Sequence, residues 1–452
     1  MGTTDGIRVE NWGGSIVSYP KVVEDVTNVD QIVAIMKDPE RYPSPVRAIG
    51  SNHSTTRCTE ANGGTVVNMK KMNRILEVGT DTVTVEAGAI YIDIAKELQA
   101  HNLLFFVNVE LGNMTIGSGS CGGTKDASMP GEFGQVCSYA SVIKLVTPSG
   151  DLLEVTEDQT ELMQVMRSSY GLLGIVYEVT FKVQKLRAMS VSHSTYSLDQ
   201  FADQLTSLTA RGESIMLYMY PFLDKITVEY RKYRDEAKPK NGFAWKIRNL
   251  TWKTLAPGFA FYITKLMPFK GIRYFLINRF NRIIQFSLKL IVDGSSTIAT
   301  DQIIRYPDKS GNTSYTFSIW VFPEETYPET IRAYFAFCKD YYREHGYRCN
   351  MLNVGYRISE DKSSLFSYSF DGTILSLDPV STGDRGWDDF LKAYNQFCSD
   401  LGGIPLFNQT KWITPPQAKK AFGQRLETFK EYRKQYDPQD RLLNEYFRSM
   451  FE

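Results

Sequence analysis

Apolar and polar positions follow two different periods along the first part of the chain. Over residues 29–36 the apolar positions recur at helical spacing and stop before Asp38-Pro39, which predicts a short amphipathic helix. Residues 46–49, 65–69, 75–78 and 82–86 are short β-branched and apolar runs, expected as strands, and residues 91–101 return to the helical period. Residues 141–146 and 152–155 flank the turn Pro148-Ser149-Gly150-Asp151 and predict a hairpin. A helix is expected over 158–170 and a strand over 172–183.

From about residue 188 the texture changes. Strands expected at 215–220, 226–230, 314–322 and 373–377 are separated by long, variable connections, which suits an antiparallel sheet. The stretch from Pro415 is charged and helical. A chain of 452 residues exceeds what one hydrophobic core usually serves. The pattern therefore predicts an α+β protein: a two-lobed domain over 1–187, a second domain over 188–405, and a closing segment over 406–452.

Composition narrows the function classes. Lys+Arg and Asp+Glu balance at 51 each, so no global field draws the protein to nucleic acid. The six cysteines form no CxxC pair and no metal-ligand spacing with the four histidines, so no metal is expected and a reducing, cytoplasmic setting is the simpler expectation. The first residues lack the basic and apolar regions of a secretory signal, and no run is long enough to span a membrane.

Two loops carry candidate chemistry. The first, Gly50-Ser51-Asn52-His53-Ser54, is a polar turn directly after a predicted strand. The second runs Gly112-Asn113-Met114-Thr115-Ile116-Gly117-Ser118-Gly119-Ser120-Cys121-Gly122-Gly123. Successive glycines let backbone N–H groups converge without Cβ obstruction, which makes an anion-binding nest suited to a pyrophosphate. Neither loop fits a Rossmann or Walker A pattern. Singly, such a loop is most often a plain turn and such a histidine a solvated or capping residue.

In order, Arg47 to Ser54, Asn68 to Leu76, Val85-Glu86-Ala87-Gly88, the glycine-rich loop and Gly171 to Val176 resemble the FAD-binding domain of the vanillyl-alcohol oxidase/p-cresol methylhydroxylase superfamily. Within it the chain looks most like aldonolactone oxidases and decaprenylphosphoryl-ribose oxidase. The resemblance covers about residues 15–185 and resumes at Asp437 to Phe447. It implies FAD held between Gly50, Ser51, Asn52, His53 and Ser54 on one side and Gly112, Asn113, Gly117, Ser118, Gly119, Ser120, Cys121 and Gly122 on the other, with Gly174, Ile175 and Val176 near the adenine end. His53 falls on the position that is bonded to the flavin in aldonolactone oxidases, so a covalent histidyl link is expected. Cys121 is expected as a small buried hydrophobe beside the cofactor.

On the substrate side the resemblance places Lys411 near flavin and substrate, where a cation would stabilise a reduced anionic flavin; the alternative is a surface lysine at a strand end. Tyr315, Phe317 and Ile319 align with a substrate-lining strand, but the relative's polar side chains fall on Phe317 and Ile319, which favours a more apolar substrate. Between Ala237 and Val292 lie eleven Lys and Arg and no Asp or Glu, interleaved with aromatics. That composition suits an interfacial segment over about 238–290 meeting a membrane surface or a lipid-like substrate. The alternative is a helical pair that packs its aromatics inward.

The expected function is an FAD-dependent oxidase or dehydrogenase that takes hydride from a CH–OH carbon of a sugar, a lactone or a more hydrophobic small molecule, with dioxygen or another electron acceptor as its partner. Two alternatives stay open at this level. One is a flavin-dependent C=C reductase of the sterol-reductase type; the other is a membrane-surface binding protein with a degenerate flavin fold.

Overall fold

Val83 and Val85 point to one side of Thr82–Glu86 and are fully buried, and that alternation turns one face of the strand into the core. In the computed structural model, which describes residues 6–234 and 242–451, this strand lies between Ile75–Val78 and Ile175–Lys185. Ala140–Val146 and its hairpin partner Leu152–Thr156 extend the sheet on the far side of Ile175–Lys185, whose end also pairs Leu103–Phe105. Ahead of this lobe, Val22–Asp25, Thr65–Asn68 and Val46–Ile49 form a small parallel sheet, with Thr65–Asn68 in the middle. The helices Val29–Lys37 and Tyr91–Ala100 bury their apolar stripes in the same core.

The second sheet is antiparallel throughout. Its order is Ser296–Thr297, Ala188–Ser197, Lys225–Arg234, Ser214–Tyr220, Asn353–Ile358, Ile374–Leu377, Trp320–Pro323 and Ile404–Pro405. One face packs on helices Leu198–Thr209, Tyr327–His345 and Trp387–Asp400, which bury Phe201, Tyr334, Phe335 and Tyr394 against Leu217 and Val228. Helices Gly242–Leu250, Ala256–Leu266 and Lys270–Val292, with a π-helical turn at Thr251–Leu255, form a separate layer.

The closing segment returns to the first core. Phe407, Phe422, Phe429, Leu442 and Phe447 are buried among the residues of the flavin-side lobes. The buried Asp437 accepts from the backbone N–H of Arg441 and Leu442 and shapes the turn that brings them in.

Several expected elements differ in extent. The strand expected over 314–322 is two pieces: Thr316–Phe317 pairs Val380–Ser381, and Trp320–Pro323 joins the large sheet. Between them the Ile319 carbonyl accepts the Thr410 hydroxyl and leaves the ladder. The helix expected over 158–170 is Thr160–Met166, because Tyr170 and Gly171 take left-handed conformations (φ 49° and 71°) and turn the chain. For the same reason the strand expected from 172 begins at Ile175. Lys238 and Lys240 lie outside the described residues.

Candidate active site

Strand Val46–Ile49 delivers the first loop, the second follows several residues beyond strand Leu103–Phe105, and the two loops touch. A Cβ on Gly50 would stand 2.1 Å from Thr115 Oγ1, and one on Gly117 would stand 2.8 Å from the Ala87 Cβ. A side chain at position 50 would fill the gap between the loops, and one at 117 would push the second loop off Ala87. That gap opens into a channel lined by Gly50, Ser54, Thr115, Gly117, Ser118, Cys121, Gly122, Tyr170, Gly174, Val176 and Asn408. Arg47 braces it from behind, donating to the carbonyls of Cys58, Tyr170, Gly171 and Leu442. Its burial pulls the guanidinium down to about 10.

His53 sits at one end of the first loop. Its ring stacks on Trp12 at 4.9 Å, and its buried Nε2 has no hydrogen-bond partner. Burial, helped by the charge of Lys70, lowers it to about 4, so the imidazole is neutral at physiological pH. Residues 11 and 12 clamp this turn: Asn11 Nδ2 donates to the Ser54 carbonyl, and the Trp12 amide donates to the Asn52 carbonyl. Thr55 Oγ1 and Asn408 Oδ1 are likewise buried without partners. Orphaned polar atoms around a channel that excludes side chains fit an elongated polar cofactor such as FAD.

The channel leads to a second space. Gly122 and Asn408 line the channel, while their near neighbours Thr124, Lys125 and Gln409 line a cleft of about 1220 Å³. Tyr306, Tyr315, Phe317 and Ile319 form one wall, Met216, Tyr218 and Tyr356 of the large sheet another, and Trp252, Phe259 and Phe280 of the helical layer a third. Trp12 meets both Tyr306 and Tyr315 edge-on at 5.8 Å, so it joins His53 to the cleft wall.

The cleft is mostly apolar; its charged lining residues are Glu110, which pairs with Arg248, and the pair Lys125–Asp378. Lys125 Nζ donates to Asp378 Oδ2 at 2.9 Å and lies 4.0 Å from the centre of the Tyr356 ring. Burial lowers the lysine and raises the carboxyl, and each partner opposes the other's shift. Asp378 Oδ1 is buried and unpartnered. Behind the Tyr218 hydroxyl, which donates to Glu229 Oε2 at 2.8 Å, runs a buried ionic cluster. Arg231 reaches Glu229 at 2.7 Å and Asp126 at 3.0 Å, and His193 bridges Glu229 and Asp293 at 3.2 and 2.6 Å. Burial opposes protonation of His193, but Asp293 and Glu229 overcome it and raise the ring to about 9. Burial would also raise Glu229, yet Arg231 and His193 hold it well below the ordinary carboxylate range.

The structure sorts the expected site residues. Gly50, Ser54, Gly117, Ser118, Cys121, Gly122, Gly174 and Val176 line the channel, and Tyr315, Phe317 and Ile319 share the cleft. Ser51, Asn52 and His53 form the turn above the channel, with Asn52 in a left-handed conformation and bonded to the Glu10 carbonyl. Residues 116–121 are not an open loop but a short helix, which turns Gly119 and Ser120 into the lobe; Ser120 Oγ bonds the Gly117 carbonyl. Gly112 and Asn113 face residues 304–306 instead, Asn113 bonding the Tyr306 backbone in both directions. Ile175 belongs to the core. Cys121 is buried, its thiol pushed up to about 11 and its Sγ donating to the Gly117 carbonyl.

Lys411 does not line the cleft: its ammonium is held by Asp388 at 2.6 Å, and its carbonyl accepts from Asn395. The cleft lysine is Lys125, which sequence reasoning missed. Its signal was a charged pair, Lys125-Asp126, immediately after Gly122-Gly123-Thr124.

Residues 20–156 match the FAD-binding domain family, and residues 179–450 match the family described as D-arabinono-1,4-lactone oxidase. The chain belongs to the D-arabinono-1,4-lactone oxidase family. It is thereby an FAD-dependent oxidoreductase of the vanillyl-alcohol oxidase/p-cresol methylhydroxylase superfamily. L-gulonolactone oxidase of Mus musculus is 22% identical over 99% of this chain and 98% of its own. L-gulono-1,4-lactone dehydrogenase of Mycobacterium tuberculosis is 21% identical over 97% of each. The match to L-gulonolactone oxidase of Bos taurus, 25% identical, spans 53% of this chain and about half (54%) of the bovine one. Cholesterol oxidase from Brevibacterium sterolicum shares the fold with a TM-score of 0.77 at 14% identity, over 98% of this chain and 97% of that one.

Proposed function

We propose that the family member oxidises a CH–OH carbon of a small donor seated in the cleft, with Asp378 receiving the hydroxyl proton. Bound FAD would supply the hydride acceptor. The observation that carries the reading is the unpartnered Oδ1 of Asp378, a residue of the cleft wall. Lys125 fixes the other oxygen of that carboxylate, so the free oxygen keeps lone pairs for a donor hydroxyl. Burial that raises Asp378 brings it toward the range of a working base. Tyr315, Phe317 and Ile319 would hold the body of the donor and exclude water. Lys125, not Lys411, is the lysine assigned to the reacting end.

The named relatives act on gulonolactone and arabinonolactone, and an aldonolactone is the first donor to try. The second reading is a larger apolar alcohol, favoured by Trp252, Phe259, Phe280, Phe317 and Ile319 around the same space. His53 is the residue we assign to covalent attachment, supported by its unpartnered Nε2 and neutral ring. Dioxygen or another acceptor would reoxidise the flavin.

The deciding experiment mixes the purified yellow protein anaerobically with L-gulono-1,4-lactone, then with long-chain secondary alcohols, and follows bleaching of the flavin. Bleaching by either class supports CH–OH oxidation and ranks the two readings. Bleaching only by a nicotinamide cofactor would overturn it in favour of a C=C reductase.

A further inference from the structure

Helix Lys270–Val292 carries two apolar stripes where one would suffice. Tyr274, Ile277, Leu288 and Val292 are buried against the protein. On the opposite side Phe275, Ile283, Phe286 and Leu290, three to four residues apart save across the basic Arg279, face outward, and Leu266 and Phe269 continue the surface onto the preceding turn. These six outward side chains are each 60–72% exposed. A surface helix normally turns polar residues outward, and a continuous apolar face of this size marks a contact surface.

The charge beside it identifies the contact. Residues 242–292 contain no Asp or Glu. Among the described residues only Arg248 of this layer forms an ion pair, with Glu110, and it is buried. Lys265, Lys270, Arg279, Arg282 and Lys289 form none with another described residue. A second copy of the chain meeting itself through this face would set cation against cation across a two-fold axis. An anionic surface that is apolar beneath satisfies both features at once. Alongside runs a groove of about 1320 Å³ lined by Lys225, Arg279, Arg282, Phe286 and Leu290. The buried Gln285, whose Oε1 lacks a partner, opens into the same groove.

We infer that helices Ala256–Leu266 and Lys270–Val292 dock the protein on an anionic lipid bilayer, with Phe275, Phe286 and Leu290 in the acyl boundary and the cations at the headgroups. The same helices supply Phe259 and Phe280, stacked at 3.9 Å, to the cleft wall, so the docked surface is the outside of the substrate cleft. Only this last link rests on the cleft reading.

Flotation of the flavin-loaded full chain through a density gradient, with vesicles of phosphatidylcholine alone or mixed with phosphatidylglycerol, tests the docking without any turnover. The protein is expected to float with the anionic vesicles, to stay down with the neutral ones, and to detach as salt is raised. Lys265→Glu and Arg282→Glu should each weaken binding at least about fivefold, and Phe275→Asp/Phe286→Asp should abolish it with flavin content and melting temperature retained. Failure of the wild type to float with anionic vesicles would overturn the inference. So would a wild-type dimer that the double aspartate variant dissociates, since the face would then be covered by a second copy. A loss of flavin bleaching with flotation intact would strike the proposed reaction and leave the docking standing.

Discussion

The Lys125 ammonium and the Asp378 carboxylate, 253 residues apart in the chain, meet at 2.9 Å with each side chain about 3% exposed. A buried pair of this kind gains little net stability over a well-packed apolar pair. It lies at the wall of the cleft with one carboxylate oxygen left unpartnered, and that oxygen is the one to which the proposed proton transfer is assigned.

Asp378→Asn keeps the shape and removes the proton acceptor. With whichever donor bleaches the wild type, kcat is expected to fall about 10²–10⁴-fold with flavin content unchanged. In the wild type, activity should rise with pH through the raised ionisation of Asp378, because only the carboxylate accepts a proton. A variant that keeps both the rate and that pH limb would remove Asp378 from the reaction.

Lys125→Met strands a buried carboxylate. Denaturant unfolding is expected to show a loss of about 3–5 kcal/mol, with most of it recovered in the double variant Lys125→Met/Asp378→Leu. An unchanged midpoint for the single variant would mean that solvent reaches Asp378.

Acid-precipitated wild type is expected to stay yellow, and His53→Ala to yield a colourless pellet and a yellow supernatant. In the cofactor-free protein His53 is lowered to about 4 from an ordinary 6.5, so the unfolded chain binds the proton more readily. That contribution to stability is complete above pH 6.5 and lost as pH falls toward 4. His53→Gln should flatten this limb of the melting profile.

His193 has the opposite sign. Raised to about 9 by Asp293 and Glu229, it contributes stability that is complete below pH 6.5 and lost as pH rises through 9. Melting temperature should fall over that window in the wild type and change less in His193→Gln.

Gly50→Ala forces a Cβ into the Thr115 hydroxyl. The loops must part, at a cost of about 1–3 kcal/mol, and flavin content of the purified protein should fall well below that of the wild type. Full occupancy would show that the gap between the loops is not the cofactor's.

Much of the flavin-side fold was legible because its signals are local. The strands at 46–49, 75–78 and 82–86 are short β-branched and apolar runs bounded by turns, and the two loops come in a recognisable order along the chain. The cleft's charges were not legible. Strand Lys225–Arg234 places Glu229 and Arg231 where the alternation of charges reads as a solvent face, yet both are buried, because Asp126 and His193 arrive from distant segments to meet them. The partner of Lys411 was hidden for a related reason: Asp388 is 23 residues earlier, on a helix that no pattern near Lys411 announces. The outward apolar stripe was half legible, since composition gave its basic and aromatic character but not which aromatics turn away from the protein.

Arg441 donates to the carbonyls of Ile35, Met36 and Tyr42, and Asn444 to those of Arg57, Cys58 and Glu60. The Val46 amide is in turn bonded to the Arg441 carbonyl, and Arg47 to that of Leu442, so the strand that leads into the His53 turn is held by residues 395 positions further along the chain. On a ribosome, which delivers the chain from its N-terminus, that separation makes the flavin-side lobes wait for the whole second domain before these bonds can form. A nascent chain halted near residue 436 would already have every glycine of the channel and still lack the clasp that closes it.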